Sequence, residues 1–268
     1  HVREGRPFKL EGNPEHPINR GNLCSRGQAG VFRPYHFERL PYPQHREEEG
    51  GELQSITWSR SLRRIGEALR NALDAGDGRV VLWTGLETGA LRSICQNFAE
   101  ATRGTHIMYE PFQMEPLLEA HRVAFGRREL PQYRLADVDM MVALEADLFE
   151  TYHSPIEIAR QLIGPDHLGD HRPQFAWVGP RRGVTGMLAD HWVPSRPGTA
   201  GFVAMALIAE LVEAGGAFAT RAGQYPQIAE LLRAHPKEQM ATRAGVELDD
   251  ISQLAERLSA ASHPMVFP

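Results

Sequence analysis

Cysteine is nearly absent from this chain: Cys24 and Cys95 are the only two among 268 residues. There is no CxxC pair, and no HExxH metalloprotease motif occurs among the 12 histidines. These absences argue against a metal site built from this chain alone, and nothing about two cysteines demands a disulfide. GxGxxG and GxSxG are also missing, so the usual sequence signatures of dinucleotide binding and of a serine nucleophile elbow are not available. Long apolar runs are missing too. The longest, Phe202 to Val212, suits a core helix, and no run of about 18 apolar residues exists to form a membrane-spanning helix. The net charge of −5 argues against nucleic acid as the main partner.

What is present is an ordinary globular composition, 42% hydrophobic and 24% charged, in a length that suits one large α/β domain or two smaller ones. The first part, residues 1–55, is turn-rich. "HVREGRPFKLEG" reads as a strand, a turn at Gly5 and a second strand. Repeated X-Pro pairs then favour extended geometry, giving a strap from Val31 to Pro43 and an exposed loop from Arg46 to Glu52. Because a protein seldom begins inside a hairpin, His1 is expected not to be the natural N-terminus. The closing "SHPMVFP" resembles a strand just starting, so the C-terminus is expected to be incomplete as well.

From residue 56 to 268 strands alternate with helices. Leu62, Ile65, Leu69 and Leu73 sit at helical spacing, with Thr57 or Ser59 as N-cap and Gly76 as stop. "GRVVLWTG" reads as a buried strand, "THIMYEP" as a short one, and "ADVDMMVALEAD" and "PQFAWVGP" as two more. "SPIEIARQLI" is a helix with Pro155 in its first position, and "LDDISQLAERLSAA" is a capped helix. The pattern predicts an α/β fold: a doubly wound, mostly parallel sheet with helices on both faces, preceded by a small β-rich segment.

In such sheets ligands sit beyond the carboxyl ends of the strands. Three of these ends are informative: "WTGLETGALR" with Gly85, "LEADLFETYHSP", and "GPRRGVTGMLADHWVPSRPGT". In the last, Gly198 and Thr199 open a helix, which suits either an anion site or an ordinary cap. Glu145, Asp147 and Glu150 read as a solvated acidic loop before they read as catalytic.

Together these pieces resemble the molybdopterin oxidoreductases, the complex iron–sulfur molybdoenzyme superfamily, from His1 to about Met205. "REGRPFKLEGNPEHPINRGNLCSRGQ" is similar to that family's N-terminal segment and places Cys24 at the last of four cluster ligands. "GVTGMLADHWVPSRPGT" is similar to a stretch that holds part of the pterin dinucleotide. The resemblance implies that Arg181, Thr185, Asp190, Gly198 and Thr199 would line the nucleotide. The middle, "MYEPF…AFGRRELPQYRLADVDMMVALEADLFET", looks like the molybdopterin-like subunit of alternative complex III, a membrane-bound quinol oxidoreductase. Such a subunit implies partners: an iron–sulfur ferredoxin-like domain, a membrane quinol-binding subunit, and cytochrome c subunits, on the periplasmic face.

The departures from that family pattern matter as much. The family's cofactors are a molybdenum bis-pterin guanine dinucleotide and a [4Fe–4S] cluster, and a cluster needs about four thiolates. Here Cys24 stands alone, so either three cysteines lie upstream or the cluster is gone. Ala200 stands where the family commonly has a carboxylate for guanine. Glu145-Ala146-Asp147 stands where catalytic members have Gly-Ala-Asn, and carboxylates there repel a pyrophosphate. Met108, Tyr109 and Glu110 stand near the usual molybdenum ligand.

The expectation is therefore a scaffold subunit without its own cofactor, its strap buried against another chain or domain, and Cys24 a loop-buried thiol. The alternative is a fragment of a catalytic molybdenum oxidoreductase of the polysulfide or thiosulfate reductase type. Cys24 would then bind a cluster, and Gly85, Arg181, Thr185 and Thr199 would touch the dinucleotide. A generic nucleotide-binding module explains the strand ends but not the N-terminal run.

Overall fold

The computed structural model describes residues 1–75, 80–111, 114–163 and 172–268. Contacts divide the chain into two compact units, one of residues 1–28 with 131–268 and one of residues 29–130. The first unit opens with the expected hairpin, in which β1 (Val2–Arg3) and β2 (Arg6–Pro7) pair antiparallel. Side chains then organise the Pro-rich turns locally. Asn13 Oδ1 accepts from the Glu15 N–H, and His16 Nδ1 accepts from the N–H groups of Ile18 and Asn19. Cys24 precedes α1 (Ser25–Ala29), and its carbonyl accepts from the Gln28 N–H at 3.1 Å.

The second unit differs from the sequence expectation at its start. Gly30–Tyr35 winds as a 3-10 helix rather than an extended strap, because Val31 is buried and anchors the turn. β3 (Gln44–His45) and β4 (Gln54–Ser55) pair antiparallel. α2 (Trp58–Asp74) begins as expected, with Thr57 Oγ1 accepting from the Arg60 N–H at 3.3 Å. Gly76, the expected stop, lies outside the described residues, as do His167 and His171.

β5 (Val81–Thr84), α3 (Gly89–Ala101), β6 (Thr105–Met108) and α4 (Met114–Phe125) complete this unit, with β5 and β6 parallel. The strand expected to be buried is not. Val81 is 55% and Trp83 71% exposed, beside exposed Ile107 and Tyr109. The physical reason is the sheet's size. It has two strands among the described residues, and α3 packs on it while burying Cys95 and Ala99.

Residues from 131 onward return to the first unit. Its elements are β7 (Met140–Leu144), α5 (Pro155–Ile163), β8 (Gln174–Gly179), α6 (Val184–Leu188), β9 (His191–Pro194), α7 (Ala200–Glu213), α8 (Gly216–Ala222), α9 (Pro226–Ala234), α10 (Lys237–Ala244), α11 (Leu248–Ala260) and β10 (Pro264–Phe267). The four strands form a parallel sheet in the order β10-β7-β8-β9. β7 is buried at every position, as an inner strand covered on both faces must be.

Alternation along the strands sorts side chains between the two faces. Met140, Val142, Leu144, Ala176 and Val178 meet α7, α10 and α11. Met141 and Phe175 meet Leu162 of α5 and Leu188 of α6. The closing segment is indeed a strand. The Asp139 carboxylate accepts from the N–H groups of Ser262 and His263 at 2.7 and 2.9 Å, which sets β10 in register with β7.

An aromatic cluster closes the β10 edge. Tyr133 and Tyr152 share a hydrogen bond of 2.8 Å, and Phe267 packs 4.6 Å from the Tyr133 ring. His153 joins them through its ring, 4.7 Å from Tyr152. Its Nε2 donates to the Pro131 carbonyl at 3.0 Å, leaving Nδ1 buried with no partner among the described residues. Burial holds the His153 imidazole below the ordinary histidine range, against the opposing pull of the Pro131 carbonyl and the Glu157 charge. The folded state therefore resists a proton that the unfolded chain accepts near pH 6.5. Stability from this group is complete above that pH and is lost as pH falls through the depressed folded value. Urea titrations between pH 7.5 and 5.5 should show a loss of up to about 1 kcal/mol that His153→Gln abolishes. An unchanged slope in the variant would reject the assignment.

Candidate functional site

The carboxyl ends of β7, β8 and β9 open onto a cleft of about 290 Å³. Its most consequential residue follows β7 directly. Glu145 has φ of 56°, in the left-handed region that non-glycine residues seldom enter. Its own N–H stays bonded to the Val178 carbonyl at 2.8 Å. Its carboxylate reaches the head of α7, accepting from the N–H groups of Gly198 at 3.1 Å and Thr199 at 3.3 Å. Thr199, in the N-cap position, makes no side-chain cap; its Oγ1 instead donates to the Arg196 carbonyl. Glu145 therefore supplies the cap and places a negative charge at the positive end of a 14-residue helix.

Two more carboxylates act similarly. Glu150 Oε2 accepts from the Val184 N–H at the start of α6, at 3.2 Å. Asp147 Oδ1 accepts from Thr185 Oγ1 at 2.7 Å, and its Oδ2 accepts from Thr151 Oγ1 at 2.9 Å. Thr185 is buried and takes the Phe149 N–H in turn. The expectation of a solvated acidic loop is thus corrected. Glu145 and Asp147 are half-buried and all three carboxylates are engaged, because the amino ends of α6 and α7 present donors that β7's loop is placed to meet.

Trp177 forms the floor, its Nε1 donating to the Arg181 carbonyl at 2.9 Å. A Cβ on Gly179 would lie 2.4 Å from Trp177 Cζ2, and one on Gly186 would lie 2.7 Å from Cδ1. The ring is gripped between two positions that admit no side chain.

Of the residues singled out in the sequence, Arg181, Thr185 and Gly198 line this cleft, and Thr199 adjoins it. Asp190 stands at the opposite, amino end of the sheet. There it accepts from the Phe175 N–H at 2.9 Å and pairs with Arg172; these contacts and Arg172's charge hold its carboxyl below the usual range despite partial burial. Gly85 belongs to the other unit, where its carbonyl accepts from Thr84 Oγ1. Cys24 is half-buried and Cys95 buried, both as free thiols. Trp177 and the capping role of Glu145 were not anticipated. The available signal was the absence of a Ser, Asp or Asn cap before α6, paired with carboxylates at the neighbouring strand end.

Residues 1–36 match the molybdopterin oxidoreductase Fe4S4 domain family. Over 266 residues the chain is 27% identical to the menaquinone reductase molybdopterin-binding-like subunit of Nitratidesulfovibrio vulgaris, covering 98% of this chain. The chain is thus similar, along most of its length, to proteins of the molybdopterin oxidoreductase type. It is also 26% identical, over 80% of its length, to a sulfite dehydrogenase subunit of Allochromatium vinosum. The fold matches acetylene hydratase from Pelobacter acetylenicus with a TM-score of 0.62 at 17% identity, covering 94% of this chain and 35% of that one. The chain spans 38% of the length of the N. vulgaris protein and 22% of the A. vinosum protein.

The capping role of Glu145 is directly measurable. Glu145→Gln keeps the shape but removes the charge facing α7, and should lower stability by about 1 kcal/mol in urea denaturation at neutral pH. A variant with wild-type stability would show that the Gly198 and Thr199 contacts carry no net energy.

Proposed function

We propose that this chain is a molybdopterin-oxidoreductase-like subunit of a membrane-bound, quinone-linked electron-transfer complex of the alternative complex III type, serving as a scaffold rather than as a cofactor carrier. The observation that carries this reading is the engagement of the cleft's anion-facing donors by the protein's own carboxylates. Gly198 and Thr199 N–H face Glu145, Val184 N–H faces Glu150, and Thr185 Oγ1 faces Asp147. A pyrophosphate at the head of α7 would have to displace Glu145 and then sit beside Asp147 and Glu150. Ala200 removes a carboxylate from the place where the family meets guanine. The residues present do not fit the dinucleotide.

The N. vulgaris relative supports the same direction, since its name describes a molybdopterin-binding-like subunit of a menaquinone reductase. The strap supports a docking role. Phe32, Phe37 and Tyr42 are 71%, 88% and 61% exposed, more apolar ring surface than one short segment ordinarily leaves in water. In this reading the partners are an iron–sulfur ferredoxin-like domain or subunit, a membrane quinol-binding subunit, and cytochrome c subunits. The chain itself would be held at the periplasmic face through them. Among the described residues no single helix is long and apolar enough to cross a membrane.

A second reading rests on the match of residues 1–36, a span that includes Cys24, to the Fe4S4 domain. It makes the chain part of a catalytic molybdenum oxidoreductase, and it requires further thiolates beyond the two cysteines of this sequence. Elemental analysis for molybdenum, with fluorescence of oxidised pterin, separates the two in the native complex. The expected result is neither group in a preparation that still oxidises quinol. Stoichiometric molybdenum with pterin would overturn the scaffold reading.

A further inference from the structure

A second concavity, of about 270 Å³, lies in the corner formed by α7, α8 and α9. It begins with a helix that is apolar nearly all round. α7 buries Val203, Ala206 and Leu207 against the sheet, yet Ile208 on another side is 39% exposed. A helix apolar on every side is ordinarily covered on every side. Two successive glycines, Gly215 at φ 83° and Gly216 at φ 74°, turn the chain through 109° into α8. Left-handed geometry at both positions is cheap only for glycine, so the angle between the walls is set by the backbone and the groove exists before any partner arrives. Phe218, Tyr225 and Ile228 form the facing wall.

Among the described residues Arg221 is the only charged one lining the groove. The acidic side chains of α7 do not neutralise it. Glu210 and Glu213 are both paired with Lys237, the first at 2.8 Å, and these two carboxylates hold the Lys237 ammonium above its usual range. Among the described residues Arg221 has no ion-pair partner. A preformed apolar groove with one uncompensated cation matches the helix-in-groove mode of recognition, which reads apolar anchors at i, i+3, i+4 and i+7. α7 lines the groove from Ile208 to Val212, about one turn of helix, and Phe218, Arg221 and Ala222 of α8 with Ile228 of α9 continue the lining.

We propose that the α7–α9 groove docks an acidic amphipathic helix from a partner protein, with apolar anchors on Ile208, Phe218 and Ile228 and a carboxylate on Arg221. The proposal stands on the groove alone and does not depend on whether the cleft retains a cofactor.

The test uses the whole chain and two stapled helical peptides, each with leucines at i, i+3, i+4 and i+7. One is flanked by glutamates and its twin by lysines. Fluorescence anisotropy should show binding of the glutamate peptide. Arg221→Glu should weaken that binding about tenfold and improve binding of the lysine twin. Ile208→Asp should remove binding of both. Both side chains are exposed, and circular dichroism checks that each variant keeps its fold. Failure of the glutamate peptide to bind, or equal binding of the two peptides to the unaltered chain, would overturn the proposal. So would Arg221-dependent co-sedimentation with phosphatidylglycerol vesicles in the absence of peptide binding, which would make the corner a membrane-facing surface instead.

Discussion

One carboxylate joins the two halves of this site. Glu145 leaves the end of β7 in a left-handed turn and meets the N–H groups of Gly198 and Thr199, just before α7, with both oxygens. The turn costs about 1 kcal/mol, and the cap returns a similar amount. Its importance lies in position. It fixes the head of the longest core helix of the sheet unit to an inner strand of the sheet, and it does so with the donors that a phosphate would otherwise receive. Structural support and the engagement of those donors are therefore one arrangement. A substitution that freed the donors would also loosen α7.

Much of this was legible in the sequence, where local chemistry decides the outcome. The Met140–Leu144 strand, the Pro155 helix start and the Thr57 cap each rest on patterns a few residues long, and each appears as read. Distance along the chain hid the rest. Glu145 and Gly198 are separated by 53 residues, so no local window reveals that one caps the other. Trp177 could not be seen as a floor, because its fit depends on Gly179 and on Gly186 in a different element. Asp190 shows the opposite lesson. It sits inside a stretch that resembles the family's dinucleotide-holding segment, yet a single strand, β9, separates it from Pro197–Thr199, and it stands at the far end of the sheet.

The 29–130 unit shows how periodicity reads burial only when the sheet is complete. Val81 and Trp83 alternate as a half-buried strand should, and Trp83 packs edge-on against Tyr109. With two parallel strands among the described residues, one face of that pair keeps its apolar rings in water. Parallel sheets ordinarily have both faces covered, so the sequence pattern and the exposed face make the same statement about what this unit is built to meet.

The pairing of β10 with β7 carries a consequence for synthesis. The Asp139 contacts that register the two strands span 123 and 124 residues. At roughly 5–20 residues per second on the ribosome, β7 must remain without its outer neighbour for many seconds while everything between is made. During that interval one edge of a continuous apolar strand is open, and long-range parallel pairing is intrinsically slow once its partner does arrive. The nascent chain is thus most vulnerable to mispairing at β7, and its demand for chaperones is set by the order in which its strands emerge.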